Sequence, residues 1–306
     1  MSIIYENSNY MSLSEYCTGQ QNGRVGRNRL SFAHKIDENT IRILESVHVT
    51  NTFNRIVETI VSEQFGTLLA TAITVDPRSF PCVYKLLEDC CRDLNIPIPH
   101  TVISNDIQGI NAMATGTDDF AFIILGNFNL KLLTLEENKF IIGHECGHIA
   151  MGHVVYHSMG QFVGQLGSYI PLIGEALAGM VTLPLNTWMR SSEITADRAG
   201  LLCCKDLRTA QRALLKIVGG FTDTSHVDID EYIRQSKECL DVHYVGTYHE
   251  FFMTHPLIPK RLEALDLFAH SQMYYRESGL RAINEESLLT DEQLEERVNK
   301  VLSILK

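Results

Sequence analysis

His144 and His148 stand four residues apart with Glu145 directly after the first, a pattern whose residue types carry a definite chemistry. On an α-helix, positions i and i+4 share a face with Cβ atoms about 5–6 Å apart. Both imidazoles can then direct one nitrogen at a common Zn²⁺ at about 2.0–2.1 Å. Glu145 is swung to the side, where it can hold a water in the open coordination position and act as general base. A catalytic zinc site needs a third protein ligand. Glu193, on a second helical stretch, can supply it, and Asp197 lies one turn further along the same face. From there it can accept the outer N–H of a ligand histidine and fix its tautomer. A solvated acidic helix face would also account for Glu193 and Asp197 taken alone. The histidine pair tips the balance toward a metal site.

These residues need rigid elements to position them. Thr134-Leu135-Glu136-Glu137 has the form of a capping box, so the motif helix is expected to start there. Phe140, Ile141, Ile142, Ile149, Val154 and Val155 keep it buried, and Gly160 is expected to end it. Ala196, Ala199 and Gly200 are small enough to let the second helix lie close against the first. Cys146, inside the motif, reads as a small packing residue. Upstream, apolar positions from Glu38 to Phe65 and from Pro81 to Leu94 recur at helical spacing. The period then changes. Thr101–Ile103, Gly109–Met113 and Phe120–Leu125 are short β-rich runs split by turn residues, which predicts a small three-stranded sheet. Helices are expected again over Leu207–Val218 and Asp228–Leu240, and at the C-terminus over 290–305, where Thr290-Asp291-Glu292-Gln293 forms a second capping box.

The order of motifs is similar to that of the HtpX and CAAX prenyl endopeptidase family of gluzincin metallopeptidases. The HExxH pattern is followed by Glu193-Ile194-Thr195-Ala196-Asp197-Arg198-Ala199-Gly200, then by Thr254-His255-Pro256 and Arg261. Asn111-Ala112-Met113-Ala114 resembles that family's Asn-Ala-Phe-Ala strand, with Met113 in place of the usual Phe. The match runs from about Phe80 to Leu265. The resemblance implies a zincin-like α+β, mainly helical domain holding one Zn²⁺ per chain. His144, His148 and Glu193 would be its ligands, Glu145 the base and Asp197 the supporting carboxylate. His255 would stabilise the oxyanion, with Arg261 as companion cation. Asn111, Ala112, Met113 and Ala114 would form the substrate strand. His153 also has a counterpart, but on a continuous helix it lies about 140° round from His148 and reads as structural.

Chain-level properties agree. The 306 residues are ample for a buried core. A net charge of −11 argues against nucleic acid as a partner. Cys90-Cys91 and Cys203-Cys204 are adjacent pairs in helical stretches and unsuited to disulfides, and Met1 to Gly26 lacks an apolar core. A cytoplasmic enzyme, with room for peripheral membrane contact, is therefore expected. Residues 1–35 are polar and read as a flexible tail, leaving 36–306 as a single metallopeptidase domain. Residues 158–189 are interrupted by Gly and Pro about every fourth position. This predicts a short, broken helical hairpin beside the cleft and no transmembrane span. The whole reads as a zinc endopeptidase acting on extended or unfolded polypeptides, of unspecified oligomeric state. A membrane-associated processing protease and a non-catalytic peptide binder are the alternatives.

Overall fold

A computed structural model describes residues 30–46, 71–107, 109–116, 121–154, 171–242 and 255–303. Among these, helix α1 (Lys35–Ser46) is followed by strand β1 (Ile73–Thr74), helix α2 (Pro81–Asp93) and strands β2 (His100–Ser104), β3 (Ala112–Gly116) and β4 (Ala121–Gly126). Helices α3 (Asn127–Leu132), α4 (Leu135–Met151), α5 (Pro171–Cys204), α6 (Leu207–Gly219), α7 (Ile229–Val242), α8 (Ile258–Ala269), α9 (Gln272–Ser278) and α10 (Asp291–Leu302) complete the domain. The architecture is mainly helical α+β. Among the described residues the sheet has four strands rather than three, in the order β1-β2-β4-β3. The extra strand is only two residues long, antiparallel to β2, and too short to leave a periodic signal in sequence. β2 and β4 run parallel, and β3 is antiparallel to β4. β3 therefore forms one margin of the sheet. It begins three residues later than the sequence suggests, because Gly109 takes a positive φ of 71° and Asn111 folds its side chain onto the Ala112 N–H at 2.9 Å.

α4 starts as the sequence predicts. The Thr134 hydroxyl accepts from the Glu137 N–H, and the Glu137 carboxylate accepts from the Thr134 N–H. The helix ends earlier than expected, at Met151, with Gly152 as a left-handed cap at φ 71°. Gly160 lies outside the described residues. The capping box of α10 at Thr290 and Gln293 also forms.

α4 is the spine of the core. It packs against α2, α6 and β3, and most closely against α5. The closeness comes from small residues on both faces. A Cβ added at Gly147 would sit 2.6 Å from the Ala199 Cβ, and one at Gly143 would sit 2.8 Å from the Cys203 Cβ. Gly and Val differ little in helix propensity, so Gly147→Val isolates the steric term. It is expected to cost about 1–3 kcal/mol as an overpacking change, read as a lowered Tm. A variant as stable as the parent would contradict the close approach.

Where the expected hairpin of 158–189 is described, from Pro171, it is unbroken. From Pro171 onward the backbone is one continuous 34-residue helix that passes through Pro184. A proline inside a helix removes one hydrogen bond and favours a kink, but the helix is anchored by the buried Trp188, Ile194, Ala196, Ala199 and Leu201 of its C-terminal half. Residues 158–170 of the proposed hairpin lie outside the described residues. No helix among the described residues is long and apolar enough to cross a membrane.

The end of the supposed tail is also structured. Phe32, Ala33 and His34 are buried. Arg198 on α5 donates to the Phe32 carbonyl at 2.9 Å and to Glu295 on α10 at 2.8 Å, and Glu295 accepts the Lys35 N–H at 3.1 Å. Burial pushes the His34 pKa down to about 4. The N-terminal segment is thus clamped between the C-terminal helix and α5. The earlier part of the helical lead-in reaches Ser46, and its remainder falls outside the described residues.

Candidate metal centre and active site

Because α4 and α5 lie so close, His144, His148 and Glu193 converge into one buried group. His144 Nε2 and His148 Nε2 are 3.1 Å apart. Glu193 Oε2 lies 3.5 Å from the former, and Glu193 Oε1 lies 3.3 Å from the latter. A tetrahedral ion with bonds of about 2.0–2.1 Å sets its donors about 3.3 Å apart, so the two imidazoles and the carboxylate are spaced as a shared ion requires. Glu193 Oε2 is buried and makes no hydrogen bond among the described residues. The Arg261 guanidinium stands 3.4 Å from it, and a bound cation would satisfy it further. The donor set of two imidazoles and one carboxylate is that of a divalent transition metal, zinc among them.

The outer nitrogens hold the inner ones in place. Asp197 Oδ1 accepts from His144 Nδ1 at 2.9 Å, which leaves the Nε2 lone pair of that ring facing the ligand group. Arg261 Nε donates to Asp197 Oδ2 at 2.8 Å, and its Nη2 donates to Oδ1 at 2.6 Å. Burial tends to raise the Asp197 pKa, but this guanidinium and the His144 hydrogen bond hold it below the usual carboxylate range. Burial also opposes ionisation of Glu193, yet His255, His148, His144 and Arg261 bring its pKa well down. Burial lowers the His148 pKa to about 4, so this ring is neutral at pH 7 and fit to be a ligand. His144 is the converse case, since Asp197 and Glu193 outweigh its burial and raise its pKa.

Glu145 is buried and lies beside the ligand group, outside it. Burial raises its pKa to about 7, and the nearby backbone of Ala114 in β3 works against that rise. A dication in the site would lower that value, because opposite charge favours the ionised form. β3 itself is half-buried at Ala112, Met113 and Ala114, with Asn111 exposed at its start. Asn111 donates its N–H to the Asn129 side chain at 2.8 Å, and its carbonyl accepts from Gly126 at 2.9 Å.

The two remaining predicted residues occupy different settings. The His255 side chain is 60% exposed, with Nε2 3.4 Å from Glu193 Oε1, so it stands on the solvent side of the group. Arg261 is buried behind the ligands, gripping Asp197 with two hydrogen bonds and standing 3.4 Å from Glu193. This placement makes it a brace for the two carboxylates.

Sequence reasoning missed one arm of the site. His153 stays outside the ligand group, yet its Nδ1 lies 2.9 Å from His148 Nδ1. The left-handed Gly152 breaks the helical phase and turns His153 back toward His148, so the 140° estimate for a continuous helix does not apply. His153 Nε2 in turn meets Asp37 Oδ2 of α1 at 2.9 Å.

A helix-borne HExxH pair, a glutamate from an adjacent helix and a buried carboxylate next to a sheet margin define a metal-dependent peptidase. The chain belongs to peptidase family M48, whose family model matches residues 77–269, and it is a metalloprotease, a hydrolase. It is 25% identical over 267 residues to the plastoglobule-localized metallopeptidase 48, chloroplastic, of Arabidopsis thaliana, covering 84% of this chain and 76% of that protein. It is 24% identical over 230 residues to a protease HtpX homolog of Streptococcus pneumoniae serotype 19F (strain G54), covering 62% of this chain and 75% of that protein. No solved structure matches the chain significantly.

Proposed function

We propose that this chain is a zinc-dependent endopeptidase that cleaves extended or unfolded polypeptides, with the substrate lying along β3. The observation that carries the reading is the convergence of His144, His148 and Glu193 with Glu145 buried beside them, on a helix that packs against β3. His144, His148 and Glu193 would hold the ion, which when bound supplies Lewis-acid polarisation of a water and of the scissile carbonyl. Glu145 accepts the proton of the attacking water and hands it to the leaving amine. His255, exposed at the mouth, donates to the oxygen on which negative charge develops. Arg261 keeps Asp197 ionised and aimed at His144. Extended peptide adds to β3 by strand pairing, which requires a segment free of its own secondary structure.

Denatured casein and a tightly folded protein of similar size, digested side by side, test this preference. Cleavage of the casein with the folded protein left intact is expected. Equal cleavage of both would count against strand addition. For the supporting carboxylate, Asp197→Asn should weaken metal affinity by about 10–100-fold, read by chelator competition. An unchanged affinity would remove Asp197 from the site. The described cysteines are free thiols, including Cys91 and Cys146 with sulfurs 3.9 Å apart, which supports a reducing compartment such as the cytoplasm.

A further inference from the structure

The arm reaching from His148 to α1 is longer than the single carboxylate that orients His144. His148 Nδ1 contacts His153 Nδ1 at 2.9 Å, and His153 Nε2 contacts Asp37 Oδ2 at 2.9 Å. Asp37 is fully buried. It also accepts the Trp188 indole N–H at 2.8 Å and the Thr195 hydroxyl at 2.6 Å, both from α5. The Thr195 hydroxyl receives the His34 N–H at 3.1 Å. With so many donors around it, Asp37 acts only as an acceptor. His153 carries a hydrogen on Nε2 to meet Asp37, and in the neutral ring its Nδ1 is then the acceptor. His148 then donates from Nδ1 and presents the lone pair of Nε2 to Glu193 and His144.

Resting on the metal-site reading above, we propose that Asp37 is a positioning residue for the metal, setting the tautomer of His148 through His153. A carboxylate normally orients a ligand histidine by direct contact. Here a second histidine is interposed, and the carboxylate comes from a helix more than a hundred residues away in sequence. Metal binding and the docking of α1 therefore become linked, and each stabilises the other by the same free energy. The N-terminal segment is part of the metal site, beyond its role in covering the core.

Asp37→Asn keeps the shape but puts an amide N–H against at least one donor. Zinc affinity of the full chain, read by competition with a chelator, should fall about 10–100-fold as for a directly bonded carboxylate. A merely structural role would also loosen the fold, so the deciding readout is coupling. In a His153→Gln background the connection is already cut, and adding Asp37→Asn should weaken zinc binding by less than threefold further. If Asp37→Asn alone leaves affinity within twofold of the parent, or has its full effect in the His153→Gln background, the relay is overturned. The absorption spectrum of the Co²⁺-substituted protein gives a second measure. It should change in Asp37→Asn, and a spectrum identical to the parent's would also overturn the relay. If the parent protein binds no zinc, the metal-site reading itself fails and takes this inference with it. Zinc binding without peptidase activity would overturn the proposed function and leave the relay standing.

Discussion

Replacing Glu145 by glutamine is expected to lower peptide hydrolysis by about 10²–10⁴-fold while leaving fold and metal content unchanged. The amide keeps the volume of the carboxylate, but it cannot take a proton from water. Glu145 lies outside the ligand group formed by His144, His148 and Glu193, so nothing in the metal site is removed. Burial pushes the wild-type carboxyl up, to about 7, and a dication in the site would lower it again, toward the ionised form that accepts a proton. Steady-state rates on an unfolded substrate, with zinc measured on the same samples, check the expectation. Near-parental turnover would exclude Glu145 as the base.

Glu193→Ala should have the largest effect on the metal. It removes one of three converging donors, whereas loss of a supporting carboxylate costs about 10–100-fold. A larger loss, approaching absence of bound zinc after dialysis, is expected. Two further consequences follow from the neighbours. Arg261 Nη1 lies 3.4 Å from Glu193 Oε2 and His255 Nε2 lies 3.4 Å from Oε1, so the first loses a counter-charge and the second a polar neighbour. Arg261 keeps its two bonds to Asp197, so the fold should survive, and circular dichroism should be close to the parent's. Zinc retained at parental affinity would show that Glu193 is not a ligand.

The parts of this site that were legible in sequence are those whose spacing is local. His144 and His148 are one helical turn apart, Glu193 and Asp197 likewise, and the Thr134 capping box marks the helix that carries the first pair. The small residues at 196, 199 and 200 pointed correctly to close packing with α4, and Gly143 and Gly147 on the facing side complete that contact. Long-range partners leave no such mark. Asp37 and His153 are 116 residues apart, and no periodicity connects them. The signal that was present is the Gly152-His153 pair directly after the motif, since glycine is the common left-handed end of a helix and a chain leaving such a cap abandons the helical phase. For Arg261 the family resemblance implies a companion cation to His255. Its actual partner, Asp197, is set by how α8 packs against α5. The Gly and Pro positions of 171–189 misled for a related reason, because local propensity is a weak prior beside tertiary packing.

Metal content and dependence, measured together on one preparation, test the central claim most directly. Purified protein should carry one zinc per chain and digest casein. Chelation should abolish the digestion, stoichiometric zinc should restore it, and His148→Ala should show neither zinc nor activity. Casein cleavage that persists after the metal has been stripped, or full zinc occupancy in His148→Ala, would contradict the account.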